Sequence, residues 1–408
     1  YSATTGSENV AIGYQSGKDT TSGYSNTFLG NHAGRKVTTA SSNTLMGRYC
    51  GRNLTTGSSN VAIGSTCMDQ CVGAGYNTAV GYGALQDVNC GNDNTALGYQ
   101  VLYNYEGAEN VGVGHRAGYT NTTGNRMTAI GFEACRYLTT GDDNTAVGYD
   151  ALTANTTGHS NTAVGSYAAD SLTTGYQNTA VGRHALGAAT TAEYSVAIGE
   201  KALYNTTTGN KNIGIGAFVM QDNTTGFNNT AVGYSAMEKC TTGENNTAVG
   251  ESASQAITTG NNNTSVGRRS LLALTTGNSN VAVGVEAMDA HTTGHYNTAC
   301  GYAALTDQTT ATGNAGFGYE AGENATGDYN TCVGYKAGYN LVSGSNNTLL
   351  GKEAVLPANN STDTVVLGNS SIQHLRCQRS SIEGLSDQRD KTDIIDLTEG
   401  LNLINTLK

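Results

Sequence analysis

The chain has 408 residues, 55 of them Gly, with one Pro, no Trp and 23 Tyr, and only 13% are charged where globular proteins carry about a quarter. A net charge of −11 argues against a nucleic-acid partner, no apolar run is long enough for a membrane-spanning helix, and Gly does not recur every third residue as collagen requires. The apolar residues are strictly spaced, which a disordered chain does not need. The chain starts at Tyr1 with neither Met nor a signal peptide, which reads as a fragment or a processed product.

A short motif repeats from one end to the other. Asn-Thr-Ala-Val-Gly occurs at Asn77, Asn144, Asn161, Asn178, Asn229 and Asn246, and looser copies fill the intervals. With the Asn as position zero, 22 copies run from Asn9 to Thr364. They are spaced 17 residues apart, except for 16 at Asn94 to Asn110 and at Asn314 to Asn330. Position +4 is Gly in every copy, as at Gly81, Gly148 and Gly165, so the backbone there needs a conformation or a close approach that a side chain would block.

Each coil opens on a predicted strand at +1 to +3: Thr, Val or Ile at +1 (Ala315 excepted), mostly Ala or Gly at +2, and a large apolar residue or Cys at +3. That is a β-branched, period-two pattern. A second short strand is predicted near +5 to +8, as in Tyr149-Asp150-Ala151-Leu152. A return turn follows, with Thr-Thr-Gly at +12 to +14 in eleven coils. A unit this short and this rich in Gly, Thr and Asn cannot hold a helix pair. The expected fold is all-β, a parallel β-solenoid or β-roll of about 22 coils, which at about 4.8 Å per rung gives a rod of roughly 105 Å.

Two consequences follow from stacking identical rungs. The Asn column, with Asn144, Asn161 and Asn178 as examples, should form a ladder of side-chain amides. Positions +1 and +3 point to one face of the strand and +2 and +4 to the other. If the small face lines the roll interior, the Thr/Val/Ile face becomes an apolar stripe outside it; with the faces reversed, the Ala/Gly strip itself looks made for close contact. Either arrangement predicts an oligomer with chains side by side, three-fold packing being the natural closed solution.

Beyond Gly368 the repeat stops, giving a shaft over 1–368, a neck over 369–385 and a last segment over 386–408. In that segment Thr398 is a predicted N-cap for a helix carrying Leu401, Ile404 and Leu407 on one side. The motifs Asn-Thr-Ala-Val-Gly and Ser-Val-Ala-Ile-Gly (Ser195 to Gly199) resemble the head repeats of trimeric autotransporter adhesins, which implies a left-handed parallel β-roll in a homotrimer. Those heads have a somewhat shorter coil. The run Ser386-Asp387-Gln388-Arg389-Asp390-Lys391-Thr392-Asp393-Ile394 resembles the opening of the intramolecular chaperone domain of endosialidase-type phage tailspikes and tail fibres. The resemblance implies that the chaperone trimerises the fibre and is then released by self-cleavage between Ser386 and Asp387. Ser386 and Lys391 match the proposed nucleophile and base, and a Lys with a depressed pKa can activate a Ser hydroxyl.

Other candidate chemistry is sparse. Cys50 and Cys67 share the +7 column on consecutive rungs, and Cys71 and Cys90 lie on adjacent rungs two positions apart. Either pair is within reach of a disulfide, but parallel side chains in such a ladder are more often two small buried hydrophobes. Cys300 and Cys332 read as substitutes for Val and Ala in the strand. The seven His are scattered over different columns and read as lone surface residues rather than ligands, so no metal and no cofactor is expected. Glu133 and Asp150 fall at +6 on adjacent rungs at a separation resembling a retaining glycosidase pair, but that column is otherwise variable. Glu320, Lys336 and Glu353 in the same column read as a surface charge ladder. Tyr82, Tyr99, Tyr149 and Tyr234 at +5 are candidate glycan contacts, or simply rings stacked rung on rung. Sequons such as Asn155-Thr156-Thr157 arise from the repeat itself.

The sequence therefore points to the shaft of a phage tail fibre or tailspike, extracellular on the virion. Its expected partners are two further copies of the chain, other tail proteins and a host-surface glycan or other receptor, without membrane insertion. A bacterial surface adhesin with a roll head is the first alternative, a polysaccharide-degrading tailspike the second, and an ice-binding solenoid a more distant one.

Overall fold

The computed structural model describes residues 5–86 and 90–373. Chain contacts separate a first unit ending at Asn369 from a second beginning at Ser370. The first unit carries 22 strands of three residues, from β1 (Val10–Ile12) to β22 (Val365–Leu367), and no helix occurs among the described residues. Each strand pairs in parallel with the next in sequence, in strict register: Thr145 faces Thr162 and then Thr179, and Ala146 faces Ala163 and then Ala180. The chain forms a parallel β-solenoid.

The two 16-residue steps leave that register intact. Thr95 still pairs with Val111, and Ala315 with Thr331. The missing residue comes out of the return turn, where Glu106-Gly107 and Thr326-Gly327 stand in place of Thr-Thr-Gly. A turn loses a residue cheaply, whereas a one-residue slip in a strand would turn every buried side chain outward.

The strand faces settle as small-inside. Ala146, Ala163 and Ala180 at +2 are buried, while Val164 at +3 is 36% exposed and its counterparts Ile198 and Val283 are similar. Opposite the +2 column lie +7, as at Ala151 and Ala168, and +8, as at Leu152 and Leu186. Volume is balanced between these columns. In the coils where Phe28 and Leu45 occupy +2, +8 is Gly: a Cβ on Gly34 would sit 2.5 Å from the Phe28 ring, and one on Gly51 would sit 2.6 Å from Leu45. Close packing leaves no room for both to be large.

The segment predicted as a second strand is instead a turn. Its residues at +6 and +8 are left-handed, with φ 52° at Asp150 and 50° at Leu152, which no strand accommodates. The alternation sends hydrogen bonds both ways along the stack. Asp150 N–H donates to Phe132 O of the preceding coil (2.9 Å), and Leu152 N–H to Ala168 O of the following one (3.0 Å). Left-handed non-glycine residues cost about 1–3 kcal/mol each, and these bonds to both neighbours hold them in place.

The Asn column forms the expected ladder, its asparagines buried from Asn26 to Asn347. At Asn229 the backbone N–H donates to Asn212 Oδ1 (3.0 Å) and Nδ2 donates to Gly243 O (2.7 Å). Its Oδ1 in turn accepts from the Asn246 N–H (2.9 Å) and Asn246 Nδ2 (3.1 Å). A parallel row runs along the return turn, where Thr156 Oγ1 donates to Thr173 O (3.2 Å) and Thr173 Oγ1 to Thr190 O (2.9 Å). Asn229→Leu leaves the Gly243 carbonyl and two Asn246 donors without these partners, at about 1–3 kcal/mol for a buried orphan. We expect a loss of about 3 kcal/mol in urea unfolding, and a loss below 1 kcal/mol would remove the ladder from the account of stability.

Candidate functional site

The +5 column gathers rings into a continuous ladder. Tyr82 stacks on Tyr99 (centroids 5.4 Å apart, planes 13° apart) and Tyr99 on His115 (5.1 Å, 7°). His115 then stacks on Phe132 (4.9 Å, 6°), and Phe132 on Tyr149 (5.0 Å, 6°). The ladder continues through Tyr167 and His184 at +6 to Tyr204. A second run joins Tyr302, Tyr319 and Tyr335. Three of the four expected glycan-contact tyrosines thus lie in one ladder. Tyr234 is apart from it, set edge-on to Phe218 (5.8 Å, 82°).

His115 and Phe132 were not singled out from sequence, though they occupy the same column as the tyrosines. Their aromatic character, rather than residue identity, was the available signal. Stacking covers both ring faces inside the ladder, so the outward edges and phenol hydroxyls are what a ligand would meet. Stacked aromatic pairs contribute about 0.5–1.5 kcal/mol each.

Glu133 is not arranged with Asp150 as a free carboxylate pair. Its Oε2 is held by Arg136 Nη1 (2.5 Å), with Arg116 Nη1 at 4.0 Å from Oε1. Burial, and then the Glu133 charge, raise the Asp150 carboxyl above its usual range, and Asp150 Oδ1 is enclosed without a hydrogen-bond partner. Farther along, Lys336 Nζ reaches Glu320 (3.0 Å), whereas Glu353 is met by Lys352 (3.9 Å).

The cysteines divide. Cys71 and Cys90 are joined as a disulfide, with Cα atoms 5.5 Å apart. Cys50 and Cys67 are free thiols, each Sγ donating to a carbonyl (Ala62 O and Ala79 O, both 3.2 Å). In the strand, Cys332 is buried in the +2 column and Cys300 is exposed at +3.

His291, expected at the surface, is instead buried in the +11 column, between Leu274 and Gln308 on neighbouring rungs. The same column buries Asn155, so that sequon is closed to modification in the folded chain. His291 Nε2 lies 3.2 Å from Asn297 Nδ2, and Nδ1 has no partner. Burial lowers its pKa below 6.5. The unfolded state therefore binds the proton more readily, so the stability this neutral ring contributes is present above pH 6.5 and is lost as pH falls through the folded value. Asp170 acts in the opposite sense, its carboxyl pushed up to about 6 by burial. The readout is therefore the stability of wild type minus that of His291→Leu, which should increase as pH rises from 5 to 7.5 if the ring carries the effect. A difference independent of pH would assign the acid sensitivity elsewhere.

Ser386, Asp387 and Lys391, the predicted helix after Thr398, and His374 and Cys377 lie outside the described residues. Among the described residues, no group of three or more His, Cys, Asp or Glu is placed to hold a metal ion, and no helix is long and apolar enough to cross a membrane. The fold and its surface ladders define a parallel β-solenoid repeat protein. The chain matches no protein-family model, and comparison with curated proteins gives no significant match.

Proposed function

We propose that this chain is the shaft of a phage tail fibre or tailspike, built as a homotrimer that carries attachment to a glycan of the host surface. The supporting observation is the face that the solenoid leaves outside. The +1/+3 residues of successive coils form one unbroken stripe, in which Val61, Ile63, Ile213, Ile215, Val281 and Val283 are each 37–39% exposed. A continuous apolar stripe of this kind marks an interface, and three copies around one axis close it without leaving an open edge.

Left-handed coiling and the C-terminal chaperone belong to this reading through the resemblances of the repeat and of the Ser386–Ile394 run. The chaperone would bring the chains together and leave by cleavage between Ser386 and Asp387, once per chain. The cleaved fibre would be kinetically trapped, since the released part no longer helps it refold. Expressing the gene with its downstream codons, alongside Ser386→Ala and Lys391→Ala, and weighing the products tests this. Wild type should end at Ser386 and sediment as a trimer, and both variants should keep the longer chain. A wild-type chain that never ends at Ser386 would leave the tail as a trimerisation segment only. Incubation with host polysaccharide should give binding without new reducing ends; release that disappears in Glu133→Gln would move the protein to the polysaccharide-degrading class.

A further inference from the structure

The net charge of −11 conceals a local reversal. Residues 5–59 hold Lys18, Arg35, Lys36, Arg48 and Arg52 against only Glu8 and Asp19. Three of these cations share the +9 column on consecutive rungs: Lys18, Arg35 and Arg52. The backbone fixes that register, since Asp19 N–H donates to Arg35 O and Lys36 N–H to Arg52 O, both at 3.0 Å. Like charges on adjacent rungs repel, so a folded chain gains by placing an anion along them.

The neighbouring carboxylates do little to neutralise this row. Arg52 is taken by the buried Asp69, with Nε to Oδ1 at 2.9 Å and Nη2 to Oδ2 at 3.0 Å. Among the described residues, no carboxylate lies within ion-pair distance of Lys18, Arg35, Lys36 or Arg48. Arg35 Nε is enclosed without a hydrogen-bond partner. Elsewhere the usual arrangement is an ion pair, as at Arg126 with Asp143, Arg183 with Glu200 and Arg268 with Glu286.

Aromatic rings set the floor of this face. The Arg48 and Arg52 guanidinium carbons lie 4.4 and 4.8 Å from the Tyr49 ring centre, and Tyr49, His32 and Tyr14 pack in sequence at 5.2 and 5.3 Å. Partial burial lowers the His32 pKa, followed by the charges of Arg35, Arg52, Arg48 and Lys18. One neutral ring is thus within electrostatic range of all four.

We propose that the first three coils form a binding face for an acidic glycan, lying along the stacking direction with its carboxylate or sulfate groups on Arg35, Arg48 and Lys18. Guanidinium forks pair such oxyanions two bonds at a time. The inference rests on the glycan-attachment reading and names the chemical class of the sugar. A nucleic acid fits less well, because the rings are packed against one another and the arginines rather than free to stack on bases.

The test uses the assembled protein and labelled polygalacturonate oligosaccharide, read by fluorescence anisotropy across 50–200 mM salt. Dextran sulfate, neutral dextran and a single-stranded DNA of similar length are run beside it. Arg35→Gln with Arg48→Gln should weaken polygalacturonate binding at least tenfold and flatten its salt dependence. Arg183→Gln with Arg268→Gln, which removes paired cations farther along the stack, should leave it unchanged. Dextran sulfate separates sulfate from carboxylate recognition, and binding of either through Arg35 and Arg48 supports the inference. Equal affinities in wild type and the Arg35/Arg48 variant, equal losses in both double variants, or DNA bound as tightly as polygalacturonate would each overturn it. Neutral dextran bound equally by wild type and the Arg35/Arg48 variant, with no acidic glycan bound, would overturn the anion face while leaving glycan attachment standing.

Discussion

Gly148→Ala is expected to destabilise the solenoid by about 3–4 kcal/mol, while Gly158→Ala, in the same coil, should cost under about 1 kcal/mol. Contact distance alone would rank the two alike. A Cβ on Gly148 would lie 2.3 Å from Gly165 O, and one on Gly158 would lie 2.2 Å from Gly175 O. They differ in the backbone. Gly148 has φ +147°, a region that an L-residue enters only at about 1–3 kcal/mol, and the rung must also move to relieve the contact. Gly158 is not among the positive-φ glycines, and its column already holds Ala40, Ala74, Ala192 and Ala311. The clash there is relieved by small shifts that the turn absorbs. Urea unfolding of the two variants decides it, and equal midpoints would show that the invariance of +4 has another cause.

Val147→Asp combined with Val164→Asp should abolish the proposed trimer while leaving each chain folded. These side chains stand on the outer face of the strand, with Val164 36% exposed, so the roll interior does not register the change. In the assembled stripe, by contrast, each aspartate becomes an uncompensated charge in an apolar interface, at a cost of about 3–5 kcal/mol. The concentration for half-assembly should rise more than a hundredfold, since each 1.4 kcal/mol is a factor of ten. Sedimentation and circular dichroism together read the result. A variant that remains trimeric would mean that the stripe is not where the chains meet. One that unfolds would mean that the stripe supports the roll itself.

Much of this molecule was legible in the sequence because its contacts are local and identical. Once a 17-residue period stacks in register, every residue has its own counterpart for a neighbour, so the Asn ladder, the rung count and the candidate stripe follow from reading down the columns. The invariant Gly announced a backbone demand without saying which one. The tertiary structure decided what the period leaves open. It fixed which strand face turns inward, through the balance of volume between Phe28 and Gly34 or Leu45 and Gly51. It made the +5 to +8 segment a turn, because alternating left-handed residues are not written into local propensity and arise only from hydrogen bonds to the coils on either side. His291 was hidden for a similar reason: a polar residue inside reads as surface until the +11 column is seen to line the core. The ring ladder, the Arg136–Glu133 pair and the unpaired cations of the first coils depend on rotamers and on distances across rungs. A column of letters places such groups side by side but cannot show which of them touch.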